Sequence, residues 1–204
     1  CVLCERIPEE ISERRCAAVI VEDSIKAVGE LAKAYDRSIN HKKIAVTGSV
    51  GKTTTKEFIA AVLSEKYRVH KTEGNYNSNI GLPLSILSMK DDTEVSVLEM
   101  GMSDLGEIDY LSRIAEPDVA ILNQETVIST EHNVSSYPMF NSPVEVGEEM
   151  LEIGFDVFNI ATNHSLDCGE KGLISAINFW KNKNAITCGA YLNAEDMSTI
   201  PMHE

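Results

Sequence analysis

The chain has 204 residues, 43% of them hydrophobic and 25% charged, with a formal net charge of −14. That length allows one large domain or two small ones, and the composition is that of an ordinary globular protein. Such acidity argues against a nucleic-acid or anionic-membrane surface, where basic patches are expected, and no apolar run approaches the ~18 residues of a membrane span.

The chain opens on Cys1 rather than Met and carries no secretory signal pattern, so the native start is expected to lie upstream. Five cysteines without framework spacing point to a reducing cytoplasm, and the lone CxxC of Cys1 and Cys4 lacks the second pair that a zinc site needs. Residues 21–35 place apolar side chains at helical spacing behind Asp23 or Ser24 as N-cap. A strand is predicted over 43–47, and a helix over 53–66 with an apolar stripe of Phe58, Ile59, Val62 and Leu63. A strand over 68–72, a helix over 81–90 and a strand over 94–100 follow, then a helix over 103–114 capped by Ser103 and a strand over 118–123. Residues 124–141 read as a long polar loop. The pattern resumes with a helix over 142–154, with Ser142 as N-cap and Pro143 at its first position, and a strand over 155–161. A helix over 170–183 and a strand over 185–190 complete it.

Strands alternating with helices imply an α/β fold with a mainly parallel, doubly wound sheet. Charge usage shifts near residue 124, with 15 basic and 20 acidic side chains before it and 3 and 12 from it onward. The expected organisation is a leading segment over 1–40, an α/β segment over 41–123 and a different α/β segment over 124–204.

TGSVGKTTT, residues 47–55, lies between a predicted strand and a predicted helix, the context of a P-loop. Gly48 and Gly51 let the backbone wrap phosphate oxygens, and Ser49 lies within the wrap. The amides converge where the helix dipole favours anions. Lys52 is expected at the β/γ-phosphates, Thr53 on Mg²⁺, and Thr54 in support of the loop. Val46 stands where the general eight-residue pattern has Gly. Glu99 ends a buried strand at the carboxyl edge of the sheet, where α/β sheets bind ligands.

These residues, with GNYNSNIGLP at 74–83, VLEMGMSDLGEI at 97–108 and PDVAILN at 117–123, resemble the Mur ligase family over residues ~16–123. VEDSIKAVGELAKAY and TTTKEF are most similar to the type that joins D-alanyl-D-alanine to UDP-MurNAc-tripeptide. The resemblance implies ATP and Mg²⁺ as cofactors, a UDP-linked peptide as substrate, and amide formation through an acyl phosphate. It implies Glu99 as a second Mg²⁺ ligand and Asn75, Asn77 and Asn79 as contacts to substrate or cation. After Asn123 the family's metal-binding His, activating lysine and C-terminal domain do not follow, and His132 lacks the family's context. Completed ligation is therefore not expected of this chain alone.

NQETVIST at 123–130, residues 137–173 and GAYLNAEDM at 189–197 resemble instead the CapA family of capsule and poly-γ-glutamate synthesis proteins, whose fold is similar to metallophosphoesterases. That resemblance implies Glu125, Asn163 and His164 at a second divalent-metal site, with His164 near the phosphoryl group and oriented by Asp167. The chain thus reads as a junction of two truncated domains meeting inside DVAILN. Three functions stay open: an ATP-binding ligase segment, a CapA-like metal or phosphoesterase segment, and a chimera that binds nothing specifically. Incomplete sheets would expose strand edges unless one sheet continues through DVAILN.

Overall fold

A computed structural model describes residues 1–7 and 16–198. Strands β1 (Val2–Cys4) and β2 (Ala18–Ile20) form a small parallel pair, which the sequence pattern did not announce. Helix α1 (Ser24–Ser38) follows, and the Asp23 side chain caps it by accepting the Lys26 N–H at 3.0 Å. The main chain of alternation then runs through β3 (Lys42–Gly48), α2 (Lys52–Ser64), β4 (Val69–Lys71), α3 (Gly81–Leu87), β5 (Val95–Glu99), α4 (Glu107–Ala115) and β6 (Val119–Asn123). Beyond it lie β7 (Val127–Ile128), β8 (Asn141–Ser142), α5 (Val144–Ile153), β9 (Val157–Asn159), α6 (Gly169–Asn182), β10 (Ile186–Cys188) and α7 (Ala194–Ser198).

Six of these strands make one parallel sheet in the order β10-β9-β6-β3-β5-β4. The sheet does not stop at the change of resemblance. Leu122 and Asn123 of β6 pair with Phe158 and Asn159 of β9, as Thr47 and Gly48 pair with them from the other side.

Chirality explains the layering. The step from β3 to β4 runs one way across the sheet, and its helix α2 packs on one face through Ile59, Ala60 and Leu63 against Val46, Val97 and Ile121. Steps β4 to β5, β5 to β6, β6 to β9 and β9 to β10 run the other way, so right-handed crossovers put their helices on the opposite face. There Leu82, Ile86, Leu111 and Ile114 pack on Ala45 and Leu98, and Trp180 and Ile177 of α6 pack on Leu122 and Phe158. Phe158 and Trp180 stack at 4.1 Å between ring centroids. β5 is buried at all five positions, as a central parallel strand must be.

In α2 the stripe assigned to Phe58 and Val62 faces out: they are 69% and 70% exposed, whereas Lys56 and Ala60 are buried. The helix is rotated so that Lys56 reaches inward. Helix α4 begins four residues after Ser103, because the Glu107 carboxylate accepts the N–H groups of Ser103 at 2.5 Å and Asp104 at 3.1 Å and holds them outside the helix. Pro143, not Ser142, is the N-cap of α5, since Ser142 belongs to β8. The stretch 124–141 is not wholly irregular. β7 and β8 pair in parallel, and the Asn141 side chain ties the ends together through Ser129 N–H and the carbonyls of Ser129 and His132.

Candidate functional site

The loop between β3 and α2 sits at the carboxyl edge of the sheet. Gly48 and Gly51 have φ of +134° and +80°, conformations that side chains disfavour. A Cβ on Gly48 would meet the Asn123 carbonyl oxygen at 2.6 Å, and one on Gly51 would meet Asn123 Nδ2 at 2.9 Å. Both glycines are therefore set by one neighbour. Asn123 Nδ2 donates to the Val50 carbonyl at 3.1 Å, while its Oδ1 accepts from Thr55 Oγ1 at 3.1 Å and Asn159 Nδ2 at 3.2 Å. In the sequence Asn123 reads only as a strand end, and Thr54 reads as the support of the loop. The structure places Thr54 outward and Thr55 on Asn123. Val46 is fully buried in β3, so the glycine missing from that position is replaced by a core residue.

The first turn of α2 has neither a side-chain cap nor an acidic residue, which leaves amides directed at the loop for an anion. Lys52 opens the helix and folds back, with Nζ 2.6 Å from the Gly48 carbonyl and 3.1 Å from that of Ser49. Thr53 is exposed on the same turn.

Glu99 lies at the end of β5, 2% exposed. Its Oε1 accepts from Asn77 Nδ2 at 2.8 Å, whereas its Oε2 has no hydrogen-bond partner and lies 3.4 Å from Lys56 Nζ. Lys56 is fully buried and donates to the Thr72 carbonyl at 2.7 Å. A buried carboxylate oxygen lacking a donor fits a cation, so Glu99 suits the magnesium role. Of the three asparagines, Asn77 holds Glu99, Asn79 donates to Glu107 Oε1 at 3.1 Å, and Asn75 is exposed. The backbone N–H groups of Ser103 and Asp104, helped by Asn79, hold the Glu107 carboxyl below the usual range. The Lys71 ammonium on Glu57, beside Lys56, likewise lowers the Glu57 carboxyl.

The residues expected at a second site come to the same edge. Glu125 Oε2 accepts a hydrogen bond from the Ser49 hydroxyl, inside the glycine loop. Glu125 Oε1 lies 3.8 Å from His164 Nε2, and His164 Nδ1 lies 2.8 Å from Asp167 Oδ2. Asp167 Oδ2 also accepts the Phe140 N–H at 2.6 Å. Asn163 is exposed beside them. Among the described residues no three His, Cys, Asp or Glu side chains gather around a metal position. His132 turns elsewhere, with Nε2 3.0 Å from the Cys168 carbonyl.

Residues 46–134 match the Mur ligase middle domain, and residues 106–204 match the bacterial capsule synthesis protein PGA_cap, so the two matches overlap. The UDP-N-acetylmuramoyl-tripeptide–D-alanyl-D-alanine ligase of Bacillus subtilis (strain 168) is 57% identical over 106 residues, covering 52% of this chain and 23% of the ligase. The Haemophilus influenzae ligase of the same name is 28% identical over 201 residues, covering 97% of this chain and 41% of the ligase. The chain therefore spans well under half the length of these relatives. The crystal structure of the Thermotoga maritima MurF ligase in complex with ADP aligns with a TM-score of 0.59 at 30% identity, covering 91% of this chain and 40% of that one. In fold, then, the chain resembles Mur ligases over 91% of its length, while in sequence residues 46–134 resemble the Mur ligase middle domain and residues 106–204 resemble capsule synthesis proteins of the CapA type.

Proposed function

We propose that the chain binds ATP with magnesium on residues 48–54 and forms the nucleotide-handling part of a ligase that joins D-alanyl-D-alanine to UDP-MurNAc-tripeptide. The observation that carries this reading is the loop itself. Two left-handed glycines, uncapped helix amides and Lys52 converge at the end of the central strand. Gly48, Ser49 and Gly51 would wrap the phosphates, and Lys52 would leave its two carbonyl partners to reach the β/γ-phosphates. Thr53 and Glu99 would hold magnesium, which supplies charge neutralisation for the transferring phosphoryl group. Asn77 positions Glu99 for that role, and Asn79 braces the start of α4 through Glu107.

In such a ligase a substrate carboxylate attacks the γ-phosphorus to give an acyl phosphate, which an amine then displaces. The UDP-peptide and the amine would be met largely by parts of the relatives that this chain does not match. Within this reading residues 1–40 lead into the site, 41–123 carry the cradle and 124–204 bring CapA-like residues beside it.

A thermal-unfolding titration with Mg-ATP tests the reading on the intact chain. At 100 times the dissociation constant a ligand adds about 2.7 kcal/mol, which for this size raises Tm by roughly 5–10 °C. The wild type is expected to shift and Lys52→Ala is not. An equal shift in both, or none in either, overturns the reading.

A further inference from the structure

Glu125 joins two sets of residues that arrive from different parts of the chain. On one side it accepts from Ser49, whose carbonyl also receives Lys52 Nζ at 3.1 Å. On the other it faces His164 Nε2 at 3.8 Å. His164 is fixed from behind by Asp167 at 2.8 Å and edge-on by Phe140 at 4.7 Å between ring centroids. The Glu125 backbone is fixed as well, because its carbonyl accepts from Thr162 Oγ1 at 2.9 Å. The Glu125 and His164 side chains are 16% and 17% exposed, sheltered yet open to a small molecule. A carboxylate and an ammonium group therefore converge on one loop residue, three positions before the lysine that opens the helix.

We propose that Glu125 is the general base for hydrolysis of a nucleoside triphosphate held on this loop, with His164 and Asp167 as positioning residues. The proposal rests on the nucleotide-binding reading above. In the step, a water oxygen forms a bond to the γ-phosphorus and the bond from that phosphorus to the β–γ bridging oxygen breaks. The water proton passes to Glu125, and nucleoside diphosphate and inorganic phosphate leave. Lys52 neutralises charge on the phosphates as the bond breaks. Ligation needs a substrate carboxylate to attack the same phosphorus. Where none is bound, water beside Glu125 is the nucleophile.

The full chain is assayed with Mg-ATP in two independent ways: displacement of a fluorescent ATP analogue for binding, and release of inorganic phosphate for turnover. Expected are binding and phosphate release by the wild type, both lost in Lys52→Ala. Glu125→Gln is expected to bind the analogue and to release phosphate about 10²–10⁴-fold more slowly, the usual range for a lost general base. His164→Ala is expected to lower kcat at unchanged KM and to recover in part with added imidazole. Binding without phosphate release overturns the proposal and leaves the nucleotide reading standing. Glu125→Gln that binds more tightly and turns over as fast as wild type also overturns it, since the carboxylate would then only compete with phosphate. Absence of binding overturns both.

Discussion

Asn123 makes three side-chain hydrogen bonds, to Val50, Thr55 and Asn159, and sets the distance of closest approach for both loop glycines. Asn123→Ala leaves these polar groups without partners, at about 1–3 kcal/mol for each one that water cannot reach. A lowered urea midpoint together with weaker nucleotide binding is expected. An unchanged midpoint would mean that water replaces the amide. A second residue-scale prediction concerns His41, whose side chain is fully buried with Nε2 3.3 Å from Asp36 Oδ1, while Lys43 Nζ lies 3.0 Å from Asp36 Oδ2. The Asp36 carboxylate raises the His41 pKa above its ordinary value. The folded state therefore binds this proton more tightly than the unfolded one. The stability it contributes is complete below the unfolded value of about 6.5 and is lost as pH rises through the higher folded value. Tm should fall across that window in the wild type, and His41→Gln should flatten the profile.

At the scale of elements, α2 shows how periodicity misleads when one face is shared between solvent and a buried lysine. Phe58 and Val62 point outward, so Phe58→Ser or Val62→Thr should change stability by no more than about 0.5 kcal/mol. Ala60 faces Val46 and Val97, so Ala60→Leu should cost about 1–3 kcal/mol through overpacking. Denaturant melts of the three variants check the contrast, and equal losses would restore the stripe read from sequence. Helix α4 is capped at its C-terminus by Glu116, whose φ is +46° and whose carboxylate meets Arg37 at 2.6 Å and Lys33 at 3.1 Å on α1. Those cations lower its pKa to about 2. This contribution is present above the unfolded value of about 4.5 and disappears as pH falls through about 2. It should be small, because the carboxylate is 38% exposed and screened.

For the molecule as a whole, the consequence of one sheet is cooperativity. β6 pairs with β3 on one side and β9 on the other, and its Leu122 enters the core that holds Trp180. Trp180 is the single tryptophan, so its emission reports the later part of the chain while circular dichroism reports all of it. The two unfolding curves should coincide, and Mg-ATP should raise the Trp180 midpoint although the loop belongs to the earlier part. Separate midpoints, with only one moved by nucleotide, would mean two independent folding units. Closing the sheet across β6 also leaves β10 and β4 as its two edges, where two incomplete sheets would have had more.

The alternation of strands and helices is legible in the sequence alone, because burial on both faces leaves apolar runs and right-handed crossovers leave amphipathic helices between them. The glycine loop is legible there as well, since Gly48, Gly51 and Lys52 are chemical requirements written at fixed spacing. So are both resemblances, and with them Glu125, His164 and Asp167 as residues of interest. Packing alone brings Glu125 against Ser49 and His164 beside Glu125, because strand order across a parallel sheet is set by pairing partners far apart in the chain. The same is true of Asn123 and Lys56. A strand-end asparagine and a helix lysine look solvated in sequence, and only packing shows one bonded to three neighbours and the other enclosed beside Glu99.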